Sequence, residues 1–265
     1  MSDTPSFLDR HHLLFRRLHS LSGIIPIGVF LCVHLLTNAS IVWGNFLGEH
    51  GGVGEFNHDV EFIHRLAFLP LIEIFGLWIP IGFHALLGIA YALSGKSNLG
   101  TYNYQSNFRY TLQRLTGYLG VIFIFMHIAS LRWGWTFGGL LPTFSEDAAA
   151  SSTAIHFQDG STLRVFIITA FYLVSVSGLA YHFANGLWTS AITWGLTVSE
   201  EAQKRWGYIC ATVGVVLVLT GIVAVIGFAT LDIDNAKEIE AQIRGEEHAS
   251  LVTNMPAMDV AKSKP

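Results

Sequence analysis

The strongest constraint on this chain is a set of five long apolar stretches. They lie near residues 20–43, 66–93, 112–133, 162–192 and 206–230. Each is long enough to cross the roughly 30 Å hydrocarbon core of a bilayer as a helix that rises about 1.5 Å per residue. The composition agrees, because 51% of the residues are hydrophobic and only 13% are charged, and the mean hydropathy is +0.47. The sequence therefore predicts an all-α protein with five transmembrane helices in a lipid bilayer.

The charges that flank these stretches predict their orientation. With a cytoplasmic amino terminus, the inner side carries eight basic residues, namely Arg10, Arg16, Arg17, Lys96, Arg109, Arg114, Lys204 and Arg205. The outer connections carry only Arg65, Arg132 and Arg164. Because Lys and Arg are enriched in cytoplasmic connections, we expect the amino terminus in the cytoplasm and the carboxyl terminus outside. The net charge of −4 at pH 7 offers no basic surface for nucleic acid, which we exclude as a partner.

Residues 231–265 form a polar segment after the last span, distinct from the membrane domain of residues 1–230. From residue 232 onwards this segment mixes seven acidic with four basic residues and has no sustained helical stripe of apolar side chains. Such a composition can bury little apolar surface. We therefore expect a tail that is solvated on the outer side, and a disordered tail is one form that this can take.

Four of the five stretches carry one histidine each, and these residues are His34, His84, His127 and His182. Imidazole is costly in hydrocarbon unless it has a partner, so histidines repeated once per span indicate a functional site. From the inner side, His34 and His127 lie about 14 and about 15 residues into their spans, or about 21 to 23 Å deep. His84 and His182 lie about 9 and about 10 residues from the inner ends of theirs, or about 14 to 15 Å deep. Depth therefore pairs His34 with His127 and His84 with His182.

Two imidazoles at one depth on facing helices suit the two axial positions of a haem iron. We therefore predict two haem b groups in a four-helix core, with the fifth span at its periphery. Covalent c-type attachment is excluded, because the sequence contains no CxxCH. A haem-free proton relay or transporter is the alternative from another class. That alternative needs further acids at mid-membrane or inverted repeats, and neither is visible in the sequence.

Polar residues cluster at the inner ends of the first and third stretches. Haem propionates need cationic or hydrogen-bonding partners, and the candidates are Arg16, Arg17, His19, Ser20 and Arg114. The competing interpretation is that these basic residues only anchor the helix ends on the cytoplasmic side. The remaining histidines lie in tails or loops, where we expect solvated side chains without a metal role. They are His11, His12, His50, His58, His64, His156 and His248.

Four segments that contain these residues resemble a known family. They span residues 16–36, 72–88, 112–127 and 181–199, and the most specific string is HFANGLW followed by TWG in the last of them. The chain resembles the five-span, di-haem cytochrome b subunit of succinate dehydrogenases and related fumarate reductases, of the type with a single membrane-anchor polypeptide. The resemblance implies that the four histidines are the axial ligands. It also implies that His84 and His182 bind the haem nearer the cytoplasm.

The resemblance further implies partners and a place in the cell. A flavoprotein subunit and an iron–sulfur subunit would carry the succinate chemistry, and this chain would anchor them to the bacterial cytoplasmic membrane. Electrons would pass from the iron–sulfur subunit through the haems to a membrane quinone, with menaquinone as the expected species. A hydrogenase or formate dehydrogenase cytochrome b is a rival, but HFANGLW and the five-span plan count against it.

Glu73 is the only carboxylate well inside an apolar stretch. A carboxylate there can relay a proton to a quinone, or it can be an interfacial acid that is hydrogen-bonded to a neighbouring helix. The working direction has a separate indication. Some fumarate reductases of the family carry a glutamate two residues before the fourth-span ligand, where this chain has Ala180. The sequence therefore favours succinate:quinone oxidoreductase, with quinol:fumarate reductase as the alternative.

Overall fold

The computed structural model describes residues 10–48, 50–94 and 105–254, so Lys96 and the ends of the chain lie outside it. Within these residues the protein is entirely helical. The α-helices are α1 (His12–Ile24), α2 (Pro26–Trp43), α3 (Gly51–His64), α4 (Leu69–Ile72), α5 (Ile79–Ser94), α6 (Gln105–Leu131), α7 (Ala149–Gln158), α8 (Thr162–Thr193), α9 (Glu200–Ala229) and α10 (Ile233–Asn254).

Five helical segments are long and apolar enough to cross a membrane. They are His12–Phe46, Leu69–Leu93, Asn107–Leu131, Thr162–Thr193 and Glu200–Ala229. Their surfaces carry many exposed Leu, Val, Ile and Phe side chains, which is unfavourable in water and appropriate next to lipid tails. The predicted class, an all-α membrane protein with five transmembrane helices, is confirmed.

The first two spans each contain an interruption. Helix α1 ends at Ile24, and Pro26 is the first residue of α2. The break occurs here because proline lacks the N–H that a continuous helix would use. In the second span a π-helical segment, Glu73–Trp78, joins α4 to α5. None of the residues in the most apolar part of this span is buried within the chain. The second span therefore leaves room between itself and its neighbours.

The fifth span packs closely against the bundle although it carries no histidine. Helix α9 contacts α8 and α2. A Cβ atom added at Gly214 would lie 2.9 Å from the Cβ atom of Ala184, so a larger residue would force the two helices apart. This span is peripheral to the histidines but is a firm part of the fold.

Helices α3, α7 and α10 pack on one another at one end of the bundle, here called the capped end. The opposite end, here called the basic end, carries Arg16, Arg109 and Arg114. The tail that the sequence predicts to be solvated, with disorder as an alternative, is helical over residues 233–254, and Glu240 within it is only 3% exposed. The positions after residue 254 lie outside the described residues.

A buried carboxylate explains why α10 is held in place. Glu240 accepts hydrogen bonds from the backbone N–H groups of Ala150 at 2.9 Å and Ser151 at 3.1 Å, and from the Ser151 hydroxyl at 2.6 Å. These N–H groups belong to the first turn of α7, where the helix has no internal acceptors for them and favours a negative charge. Glu240 therefore ties the tail helix to the capped end.

His156 is the second departure from the sequence analysis, which expected it to be solvated. It is 1% exposed in α7, and neither ring nitrogen has a hydrogen-bond partner among the described residues. Burial lowers the pKa of His156 to about 4, with a further contribution from the positive charge of Arg164. The imidazole is therefore neutral at pH 7, and it packs 5.3 Å, between ring centroids, from Tyr172 of α8.

The Glu240 contacts predict the stability of the tail helix. Replacing Glu240 with Ala removes charge-assisted hydrogen bonds and leaves buried donors unpaired, which should cost about 3 kcal/mol. Amide hydrogen exchange in α10 should then accelerate by about 100-fold, if it proceeds through local opening. Glu238→Ala is the matched control, because Glu238 is exposed on the same helix. Equal exchange rates in the two variants would refute the role of Glu240.

Candidate functional site

The four histidines of the spans lie in two pairs. The ring centroids of His34 and His127 are 5.7 Å apart, and those of His84 and His182 are 6.2 Å apart. The pairs join α2 to α6 and α5 to α8. These are the pairings that depth in the sequence predicts.

Hydrogen bonds fix the rings of the His84–His182 pair. The Nδ1 atom of His84 is 2.9 Å from the backbone carbonyl oxygen of His19, and that of His182 is 3.1 Å from the carbonyl oxygen of Gln113. A carbonyl oxygen can only accept, so each ring carries its hydrogen on Nδ1 and leaves the lone pair on Nε2. This tautomer is the one in which an imidazole binds a metal through Nε2.

The His34–His127 pair has different neighbours. The Nδ1 atom of His127 is 3.3 Å from the Tyr172 hydroxyl oxygen. The ring of His34 stacks on Phe30, with centroids 5.2 Å apart, and the ring of His127 stacks on Phe123 at 5.4 Å. This pair therefore lies in a more aromatic environment, near the capped end.

The spacing within each pair suits a shared metal. An imidazole nitrogen binds a first-row metal ion at about 2.0–2.1 Å, which places two trans rings with their centroids about 6 Å apart. The described residues contain no group of three or more His, Cys, Asp or Glu side chains that could hold a metal ion. A pair of imidazoles supplies two ligands, and a planar tetradentate macrocycle would supply the other four.

A cavity of about 820 Å³ lies beside His84 and His182. It extends from Arg16 and Arg114 at the basic end to Trp78 and Trp133 further along the bundle. This volume is within the range of about 300–1,000 Å³ that is common for cofactor sites. The walls are largely apolar, with polar side chains at the basic end, which is the distribution that a flat apolar group with charged substituents requires.

Glycines make room for the two rings next to this cavity. A Cβ atom at Gly23 would lie 2.5 Å from Cε1 of His84, and one at Gly117 would lie 3.2 Å from Cε1 of His182. A side chain at Gly23 would therefore displace the imidazole of His84. The contact between Gly23 and the ring of His84 is visible only once the helices are packed.

Most of the predicted polar contacts lie in the cavity, but one does not. Its lining includes Arg16, His19, Ser20 and Arg114. Two buried atoms among them, the Nδ1 atom of His19 and the Oγ atom of Ser20, have no hydrogen-bond partner in the described part of the chain. Unpaired buried polar atoms are costly, so both atoms are available to a bound polar group. Arg17 is not among the lining residues, because its guanidinium lies 5.6 Å from the ring centroid of Trp194.

Glu73 lies in an ion pair at the other end of the second span. Its two carboxylate oxygens accept hydrogen bonds from the Nε and Nη2 atoms of Arg132 at 3.1 and 3.0 Å. Arg132 follows directly on α6, so the pair joins neighbouring spans. The pairing is compatible with both interpretations of Glu73, an interfacial acid bonded to a neighbouring segment and a carboxylate that relays a proton. The stacked rings of Trp78 and Trp133, 5.5 Å apart, connect the region to the cavity.

Two residues beside the histidines, Tyr172 and Asn185, were not singled out from the sequence. The hydroxyl of Tyr172 in α8 lies 3.3 Å from Nδ1 of His127 in α6. Asn185 contacts Gln113 and Arg109 close to His182. Asn185 is part of the string HFANGLW. The sequence therefore marked this region as specific but did not show which contacts Asn185 makes.

Similarity to a known protein identifies the family of the chain. No protein family model matches the chain. The succinate dehydrogenase cytochrome b558 subunit of Bacillus subtilis (strain 168) is 34% identical to it over 215 residues, which cover 81% of this chain and 96% of the relative. This similarity includes nearly the whole relative. The chain therefore belongs to the family of succinate dehydrogenase cytochrome b subunits.

Proposed function

We propose that this protein is the membrane-anchor cytochrome b subunit of a succinate:quinone oxidoreductase. The observation that carries the proposal is the His84–His182 pair, with both Nδ1–H groups bonded to backbone carbonyls beside a cavity of about 820 Å³. The relative of known name points to the same class of protein.

The residues of the site fit two haem b groups. His84 and His182 would hold one, and His34 and His127 the other. Arg16, His19, Ser20 and Arg114 are available to the propionates of the first group, since all four line the cavity. When bound, haem b supplies one-electron transfer at these positions. The chain itself binds and orients the groups, excludes water with its apolar walls and sets the hydrogen bonds of the imidazoles.

Partners and orientation follow from the same proposal. The basic end would face the bacterial cytoplasm and dock the iron–sulfur subunit, which in turn carries the flavoprotein subunit. The capped end, with the tail helix α10, would lie outside. Electrons would then enter near His84 and His182 and leave towards a quinone, for which menaquinone is the proposed species. Ala180 in place of a family glutamate favours succinate oxidation over fumarate reduction, the second candidate.

The proposal is tested first by haem content. The complex purified from membranes should contain about two non-covalent haem b per copy of this chain, and succinate should reduce them in the presence of its partner subunits. A chain without haem would overturn the proposal in favour of a histidine proton relay.

Substitution of single ligands should remove one haem at a time. His182→Ala takes one imidazole from the His84–His182 pair and leaves the His34–His127 pair intact. We expect the reduced-minus-oxidised spectrum to lose about half of its haem signal, with the same loss in His84→Ala. His58→Ala is a control, since it removes an exposed imidazole outside both pairs. Retention of both haems in His182→Ala would contradict the assignment of ligands.

A larger side chain at Gly23 should also remove the haem that His84 and His182 bind, by steric displacement of His84. In Gly23→Val the new side chain must displace the ring of His84, because even a Cβ atom would lie 2.5 Å from it. We expect loss or altered ligation of the haem bound by His84 and His182, seen in the low-spin electron paramagnetic resonance signal. Gly76→Val is the control, on the span that carries His84, where the nearest atom to a Cβ is 3.9 Å away. An unchanged signal in Gly23→Val would be incompatible with this geometry.

The Glu73–Arg132 pair is the proposed proton relay for quinone reduction, next to Trp78 and Trp133. Glu73→Gln should lower succinate:quinone activity by at least about tenfold, because the amide cannot exchange a proton. Succinate oxidation with a soluble dye, which bypasses the quinone, should be unaffected. Glu61→Gln removes a comparable surface ion pair with Arg65 and is the control. Equal loss of both activities in Glu73→Gln would indicate a purely structural role.

A further inference from the structure

A continuous row of polar side chains joins α6 to α8 at the basic end. The Nε atom of Arg109 donates to Oδ1 of Asn185 at 3.0 Å, and Nδ2 of Asn185 donates to Oε1 of Gln113 at 2.8 Å. The Nε2 atom of Gln113 donates to the backbone carbonyl of His182 at 3.1 Å, and the His182 ring donates to the carbonyl of Gln113. The row therefore connects a guanidinium to a proposed haem ligand.

Helical spacing brings these residues together. Arg109 lies four residues before Gln113 on α6, and Asn185 lies three residues after His182 on α8, so each pair shares one helix face. Asn185 is only 6% exposed, and its side-chain oxygen and nitrogen both have partners. A buried amide with satisfied hydrogen bonds fixes the register of two helices more tightly than apolar contacts alone.

Arg109 is held from a second side. Its guanidinium lies 3.9 Å from the ring centroid of Trp188, and the Nε1 atom of Trp188 donates to the backbone carbonyl of Gln203 at 3.0 Å. His182, Asn185 and Trp188 are the polar and aromatic positions of HFANGLW at intervals of three residues. Arg109 therefore contacts two residues of this string, Asn185 and Trp188, and these contacts explain why the polar and aromatic positions recur at this spacing.

We propose that Arg109, Asn185 and Gln113 are positioning residues that fix the imidazole of His182 and hold a permanent positive charge near it. This inference rests on the proposed haem ligation by His182. Reduction adds an electron to the haem, and a nearby cation stabilises the reduced form in a medium of low dielectric constant. The network thus raises the reduction potential of the haem that His84 and His182 bind, and leaves the other haem unaffected.

The competing role for Arg109 is to dock a partner subunit. A docking residue needs a guanidinium that is free to reach another surface. The guanidinium of Arg109 is instead engaged by Asn185 and by the face of Trp188. The side chain is therefore committed within the chain, and the docking role becomes one outcome of the test.

The experiment uses the complete membrane complex with Asn185→Ala, Arg109→Gln and Arg109→Lys. Redox titration gives the potentials of both haems, and electron paramagnetic resonance of the oxidised state reports the orientation of the ligand rings. We expect Asn185→Ala to shift the resonance of the His84–His182 haem. Arg109→Gln should lower the equilibrium constant for its reduction about tenfold, which is about 59 mV for one electron. Arg109→Lys keeps the charge and should retain most of the potential.

Internal and external controls separate the possible failures. The haem of His34 and His127 serves as a reference in every sample, and Thr212→Val changes an exposed position on α9. If Asn185→Ala does not accumulate, Asn185→Asp keeps the size and the acceptor for Arg109 but cannot donate to Gln113, and should shift the same resonance.

Three results would separate the inference from the proposed function. If wild type contains both haems and His182→Ala loses one, but the Arg109 and Asn185 variants keep both potentials and resonances, the inference fails and the proposed function stands. Loss of the flavoprotein and iron–sulfur subunits from Arg109→Gln, with unchanged haems, would assign Arg109 to docking. A wild-type chain without haem would refute the proposed function itself.

Discussion

The His84–His182 site depends on a single kind of interaction, the hydrogen bond from a histidine Nδ1–H to a backbone carbonyl on another helix. His84 of α5 bonds to the carbonyl of His19 in α1, and His182 of α8 bonds to that of Gln113 in α6. An unpaired imidazole is costly in hydrocarbon, so each ring draws two spans together. The same bond sets the tautomer and aims Nε2 away from the carbonyl. The contact that joins the helices is thus also the contact that prepares the ligand.

The sequence predicted the spans and the histidine pairs because both depend on position along the membrane normal, which can be counted along a helix. The direction around each helix axis cannot be counted in this way with the same accuracy, so Arg16 and Arg17 were treated alike, although only Arg16 lines the cavity. The helix in the tail was not predicted for another reason. Glu240 is stabilised by Ser151 and Ala150, which are about 90 residues away in sequence, and no local pattern reveals such a partner.

The capped end and the membrane bundle are connected through buried rings. Tyr172 of α8 contacts His127 through its hydroxyl, and its ring packs against His156 and Phe157 of α7. Helix α7 is in turn held by Glu240 of α10. The two histidine pairs therefore have unlike surroundings, with backbone carbonyls and a fixed cation beside one pair and a phenol within a neutral aromatic cluster beside the other. Different surroundings are the means by which one polypeptide can give two identical cofactors different potentials.

The fifth span makes these surroundings rigid without supplying a ligand. Residues two apart on a helix lie on nearly opposite faces, so Ala184, which contacts Gly214 of α9, is on the far side of α8 from His182. Two tryptophans fasten the helix ends, since Trp188 donates to the carbonyl of Gln203 and Trp206 to that of Leu187. With α9 behind it and α6 in front, α8 has little freedom to turn. The row from Arg109 to His182 therefore acts on a residue whose backbone is already fixed.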